Sequence, residues 1–116
     1  MNTKNNIFII AEDFSFGPIS ILAQLVLKIK KNYNLFSNHS EGHNFFLKKN
    51  GISFTKVNNW QDFLTKKKVE KVISCQEPIS AILAWKNDIE CLYIDNFFFF
   101  FNFYKKRIKK ICKFYL

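Results

Sequence analysis

The chain has 116 residues and 13.8 kDa, with 18 Lys and Arg against 9 Asp and Glu, a formal charge of +9. That length suits a single domain, and 48% apolar residues with only 3 Gly and 2 Pro supply a packed core, which excludes wholesale disorder. The longest apolar stretches, Ile19 to Leu27 and Phe97 to Phe101, fall far short of the roughly 20 residues that cross a bilayer, and Met1 to Asn6 lacks a signal-peptide pattern, so a cytoplasmic protein is expected.

The first element is Ile7 to Ala11, a continuous apolar run typical of a strand buried on both faces in a parallel sheet. Glu12 to Pro18 breaks it, and Pro18 suits the opening of a helix whose apolar positions are Ile19, Leu22, Leu25, Val26 and Ile29. Lys28, Lys30 and Lys31 fall in its last turn, where the helix dipole favours cations. Leu35-Phe36 is a short strand. Ser40 then caps a helix from Glu41 to Asn50 that Asn50-Gly51 stops.

The alternation continues with a strand over Ile52 to Val57, a helix over Asn59 to Lys68 carrying Trp60, Phe63 and Leu64, and a strand over Val69 to Cys75. Glu77-Pro78 opens a helix with Ile79, Ile82 and Leu83 as its apolar stripe, Asn87-Asp88 ends it, and Ile89 to Ile94 is a strand. Five strands alternating with four helices through short connections demand a parallel sheet covered on both faces. The expected fold is therefore α/β, a Rossmann-like three-layer domain with about five parallel strands. Ligands of such sheets bind beyond the carboxyl ends of the strands, which directs attention to Glu12 to Pro18, Ser37 to Ser40, Asn58-Asn59, Cys75 to Pro78 and Asp95-Asn96.

Glu12 and Asp13 follow the first strand directly. Two carboxylates there suit a general base or Mg²⁺, and equally a solvated acidic pair near a helix N-terminus. A response-regulator receiver also begins with such a pair, but it needs an Asp after the third strand and a Lys after the fifth, where this chain has Val57-Asn58 and Asp95-Asn96. Gly17 permits close approach of a ligand to the backbone before a helix N-terminus. The glycine fingerprints of dinucleotide and phosphate loops are absent, as is any nucleophile elbow. His39 and His43 stand four apart, but Gly42 and the helix start between them spoil a shared face, so they read as surface histidines and no metal is expected. Cys75, Cys91 and Cys112 form no CxxC pair and read as reduced thiols.

Charge and composition change abruptly after Asn96. Residues 1–96 hold 12 basic and 9 acidic side chains, whereas residues 97–116 hold 6 basic and none acidic, with 7 of the 15 Phe. We therefore separate a body, 1–96, from a Phe/Lys-rich tail, 97–116. The tail suits an anionic membrane surface, at the inner face of the cell membrane, better than nucleic acid. Its run of five Phe residues has neither helical nor strand period, and is also what a homopolymer tract read through a slipped frame encodes.

On Ile7-Phe8-Ile9-Ile10-Ala11-Glu12-Asp13-Phe14-Ser15-Phe16-Gly17-Pro18, and on Val72 to Ala81 leading to Leu92-Tyr93-Ile94-Asp95-Asn96, the body resembles the N-terminal domain of GT-B glycosyltransferases. That broad group contains the peptidoglycan N-acetylglucosaminyltransferase and related UDP-sugar enzymes. The resemblance covers about Asn6 to Asn96. It implies an acceptor-binding half, with Asp13 or Glu77 as base and Glu12, Gly17 and Asn96 near the acceptor, and no cofactor or metal of its own.

Two positions depart from the pattern: Gly17 is followed by Pro18 where relatives often have Gly-His, and Cys75 stands where Asp is common. The donor-binding second domain of such enzymes has no counterpart in these residues. The resemblance thus implies a truncated or frame-interrupted product inactive alone, or one subunit of a split enzyme whose partner chain binds the nucleotide sugar. The alternative from another class is a small non-enzymatic Rossmann-like module that binds an anionic surface through its tail.

Overall fold

The computed structural model describes residues 4–13, 15–66, 68–94 and 114–115. The five expected strands are β1 (Asn5–Ala11), β2 (Tyr33–Ser37), β3 (Thr55–Lys56), β4 (Lys71–Cys75) and β5 (Glu90–Ile94), with a short β6 at Phe114–Tyr115. Between them run the helices α1 (Phe16–Ile29), α2 (Glu41–Lys49), α3 (Trp60–Thr65) and α4 (Pro78–Lys86). All strand pairs are parallel, in the order β3-β2-β1-β4-β5-β6. Among the described residues no helix is long and apolar enough to cross a membrane.

Alternation along β1 divides the core. Ile7, Ile9 and Ala11 face Ile19, Leu22 and Val26 of α1 and Leu47 of α2, whereas Phe8 and Ile10 face Leu64 of α3 and Ala81 and Ala84 of α4. Two helices therefore cover each face, as expected when the chain winds outward from β1 through β2 to β3 and then returns to β4 on the other side. Phe8 stacks on Trp60 at 5.7 Å between ring centroids, anchoring α3 despite its six residues.

Helix ends explain where the elements differ from the sequence pattern. α1 starts at Phe16, two residues before Pro18, because Ser15 is extended and each first-turn position lacks an intrahelical N–H partner, so proline is tolerated at the third as at the first. Gly17 consequently lies inside the first helical turn rather than in an open loop, and a Cβ there would meet nothing nearer than Ser15 Oγ at 3.9 Å. After α2, Gly51 adopts φ +81, its amide donates to Lys48 O, and the Ile52 amide donates to Leu47 O. This left-handed cap turns Ile52 inward onto Leu47, so the strand expected over Ile52 to Val57 shrinks to Thr55–Lys56. α4 ends the same way, with Asp88 at φ 57 and the Ile89 amide on Ala84 O.

The buried face of α4 is Ser80, Ala81 and Ala84, not the larger stripe. Ile82 and Leu83 are only half-buried and Ile79 is exposed. Small residues let the helix lie close against Val72 and Cys91 of the sheet, and the larger ones occupy its flanks.

Candidate functional site

The strand order reverses beside β1: β2 lies on one side and β4 on the other, so the loops after β1 and β4 diverge at the carboxyl edge, where ligands of such sheets bind. The Glu12 amide still reaches Cys75 O at 2.9 Å, which holds the two loop starts together. After β4, Gln76 takes a left-handed backbone with φ 61 and donates its amide to Ile94 O. The Glu77 carbonyl then accepts from the Ser74 and Ser80 hydroxyls at 2.7 and 2.8 Å.

Asp13 turns toward the neighbouring loop after β2. Its carboxylate accepts from the Ser40 amide at 2.6 Å, from the Ser40 hydroxyl at 2.9 Å and from His43 Nδ1. Burial alone would raise this carboxyl, but the bonds from His43 and from the Ser40 amide and hydroxyl outweigh it and hold Asp13 below the ordinary aspartate value. His43 is the third residue of α2, and its side chain is only 4% exposed. With Nδ1 donating to Asp13, Nε2 is left with no hydrogen-bond partner among the described residues. The Phe16 ring meets the His43 ring nearly at right angles, 4.6 Å between centroids.

His39 has a different task. Its Nε2 accepts from the Ala11 amide at 2.9 Å, and Ser37 Oγ spends its own proton on Ile9 O, so His39 Nδ1 is the donor in the 3.1 Å contact with Ser37. Both ring nitrogens are thus committed, Nε2 to the β1 backbone and Nδ1 to the Ser37 hydroxyl on β2. Burial lowers its pKa to about 4, with the attraction of Asp13 only partly offsetting that and the His43 charge adding to it. Asn44 completes the loop, accepting from the His39 amide and donating to its carbonyl.

Glu77 caps α4, its two carboxylate oxygens accepting from the Ile79 amide at 3.2 Å and the Ser80 amide at 2.7 Å. Burial pushes its carboxyl above the ordinary value against those bonds, and the neighbouring Glu12 charge adds to the rise.

Of the residues singled out from sequence, Asp13, Glu12 and Glu77 thus gather at the carboxyl edge, with Glu77 doing the work of a cap. Gly17 stands exposed in the first turn of α1, and Asn96 lies outside the described residues. The two histidines, read as surface residues, are instead a half-buried structural imidazole, His39, and a buried, aspartate-paired one, His43. Their sequence signal was Ser40 with His43 one turn on, but its meaning depended on Asp13 arriving from 30 residues away. Among the described residues no three His, Cys, Asp or Glu side chains gather as a metal site requires.

The fold and this edge define a doubly wound, Rossmann-like α/β domain with an aspartate–histidine pair next to its switch point. No protein-family model and no curated protein matches the chain.

Proposed function

We propose that the domain is the acceptor-binding half of a glycosyltransferase, with His43 as the base that takes the acceptor's proton. The observation that carries this reading is the pairing of Asp13 with His43 Nδ1 at the carboxyl edge of the sheet. A carboxylate on Nδ1 pins the tautomer, leaves Nε2 as acceptor, and stabilises the imidazolium once the proton arrives. In the proposed step the acceptor O–H bond breaks and its proton goes to Nε2. The acceptor oxygen forms a bond to the anomeric carbon of a nucleotide sugar, and the nucleoside diphosphate leaves with the electrons of the broken carbon–oxygen bond. A donor-binding domain, on this chain or another, brings the nucleotide sugar.

In this reading Asp13 is a positioning residue, acting through His43, and Glu12 and Glu77 line the acceptor side. Glu77 is the poorer base because both its oxygens are engaged by α4 amides. The sequence resemblance supports the reading through the loops that carry Glu12, Asp13 and Glu77.

The test is transfer from labelled nucleotide sugars in an extract of producing cells from which the gene has been deleted. Added wild-type chain is expected to restore incorporation of label into an endogenous acceptor, and His43→Ala to reduce it by about 10²- to 10⁴-fold, the usual worth of a general base. Incorporation that ignores the added chain, or a His43→Ala chain as active as wild type, overturns the proposal.

A further inference from the structure

Resting on that reading, we infer that the acceptor carries no negative charge and lays an apolar ring face against Phe16. Three observations converge. Phe16 opens α1 with 56% of its surface exposed, yet its ring packs at steep angles against those of His43, 4.6 Å between centroids, and Phe46, 5.7 Å. An exposed aromatic held in place beside the reactive imidazole is a platform for the C–H face of a sugar or another ring.

The second observation concerns charge. Residues 12–16, 38–43 and 76–80, which close the carboxyl edge around β1, β2 and β4, contain Glu12, Asp13, Glu41 and Glu77 and no Lys or Arg. A phosphate or carboxylate on the acceptor finds no counter-charge there and meets four carboxylates. The third is that the N-terminus of α4 at this edge is already filled. Asp13 takes the Ser40 amide and hydroxyl at the start of α2, and Glu77 takes the first amides of α4. At α4 the donors that ordinarily receive an anion are satisfied from within.

The experiment titrates isotope-labelled full-length chain with three probes, following the ring signals of Phe16 and His43 by NMR. The probes are methyl β-glucoside, the cationic methyl glucosaminide and anionic glucose 6-phosphate. The two non-anionic probes are expected to give saturable shifts at both rings, and glucose 6-phosphate to bind about tenfold more weakly or not at all. Phe16→Ala is expected to weaken the glucosides about tenfold and Phe16→Trp to retain them. Phe16→Trp should leave the chemical unfolding midpoint unchanged, and Phe16→Ala, which gives up two ring contacts on an exposed side chain, should lower it only slightly.

Equal or tighter binding of the phosphate, glucoside binding that survives Phe16→Ala, or no saturable shift with any probe overturns the inference. Selective glucoside binding without label transfer in the extract overturns the transferase reading and leaves this one standing. Transfer by Phe16→Ala at an unchanged KM for acceptor does the reverse.

Discussion

His39 and Asp13 sit within one loop cluster yet respond to acid for different reasons. His39 is neutral in the fold, its Nε2 bound to the Ala11 amide, with a pKa of about 4 against 6.5 when unfolded. The unfolded chain therefore binds a proton that the folded chain refuses between those values, and stability falls as pH drops through that window, by up to about 3 kcal/mol from this residue. Asp13 is held low, so its contribution is complete above the ordinary aspartate range and is lost only as pH falls below it. Urea denaturation from pH 7.5 to 4.5 should show a steady decline in the wild type. In His39→Gln, whose side chain does not titrate, that decline should be lost. A wild-type curve already flat there would mean that the Ala11 and Ser37 bonds do not hold His39 neutral.

At the scale of elements, the helices are tuned at their ends and by side-chain size more than by their stripes. Glu77 and Asn59 each accept amides of the helix that follows, so Glu77→Ala and Asn59→Ala should each cost about 1 kcal/mol, measured as a lower denaturation midpoint. Glu77 works against itself at high pH: its pKa is raised, so its net contribution shrinks as pH rises through the carboxylate range, and Glu77→Ala should cost more in mild acid than at pH 8. α4 lies on the sheet through Ala81 and Ala84, both fully buried. Ala84→Leu adds three carbons where the helix has no room to retreat and should cost about 1–3 kcal/mol, whereas Ile79→Leu, on the exposed side, should leave the midpoint within ~0.5 kcal/mol. Equal effects at the two positions would show that α4 is free to shift.

For the molecule as a whole, the far edge of the sheet decides how the last 20 residues count. Leu92 and Tyr93 of β5 pair in register with Phe114 and Tyr115, so β6 covers an edge that otherwise offers free amides and carbonyls to another chain. Deleting residues 97–116 should therefore promote self-association, read by sedimentation velocity, and should lower the unfolding midpoint. A monomeric truncated chain of undiminished stability would show that the body closes its own edge and that β6 adds nothing. The opposite edge is protected by other means, since β3 is only two residues long and both are exposed.

Local patterns that rest on chemistry carried within a few residues were decisive on their own. The continuous apolar run of Ile7 to Ala11 could be satisfied only between two covering layers, Glu77-Pro78 could hardly do other than open a helix, and Asn50-Gly51 supplied the left-handed residue that α2 needed to stop. From these the parallel α/β architecture followed, because short alternating connections leave no other handed solution.

Strand order was different. Nothing in residues 12–13 or 39–43 indicates that β1 and β2 are neighbours, and that adjacency alone turns an acidic pair and two loop histidines into a pinned Asp13–His43 pair and a half-buried, neutral His39. The same holds for Ile52, whose side chain suited a strand until the cap after α2 turned it into the core, and for the choice of Ala81 and Ala84 over Ile79 as the face of α4. Burial and partnership depend on which segments meet across the sheet. That information is distributed over the whole chain, and only tertiary packing brings it to one place.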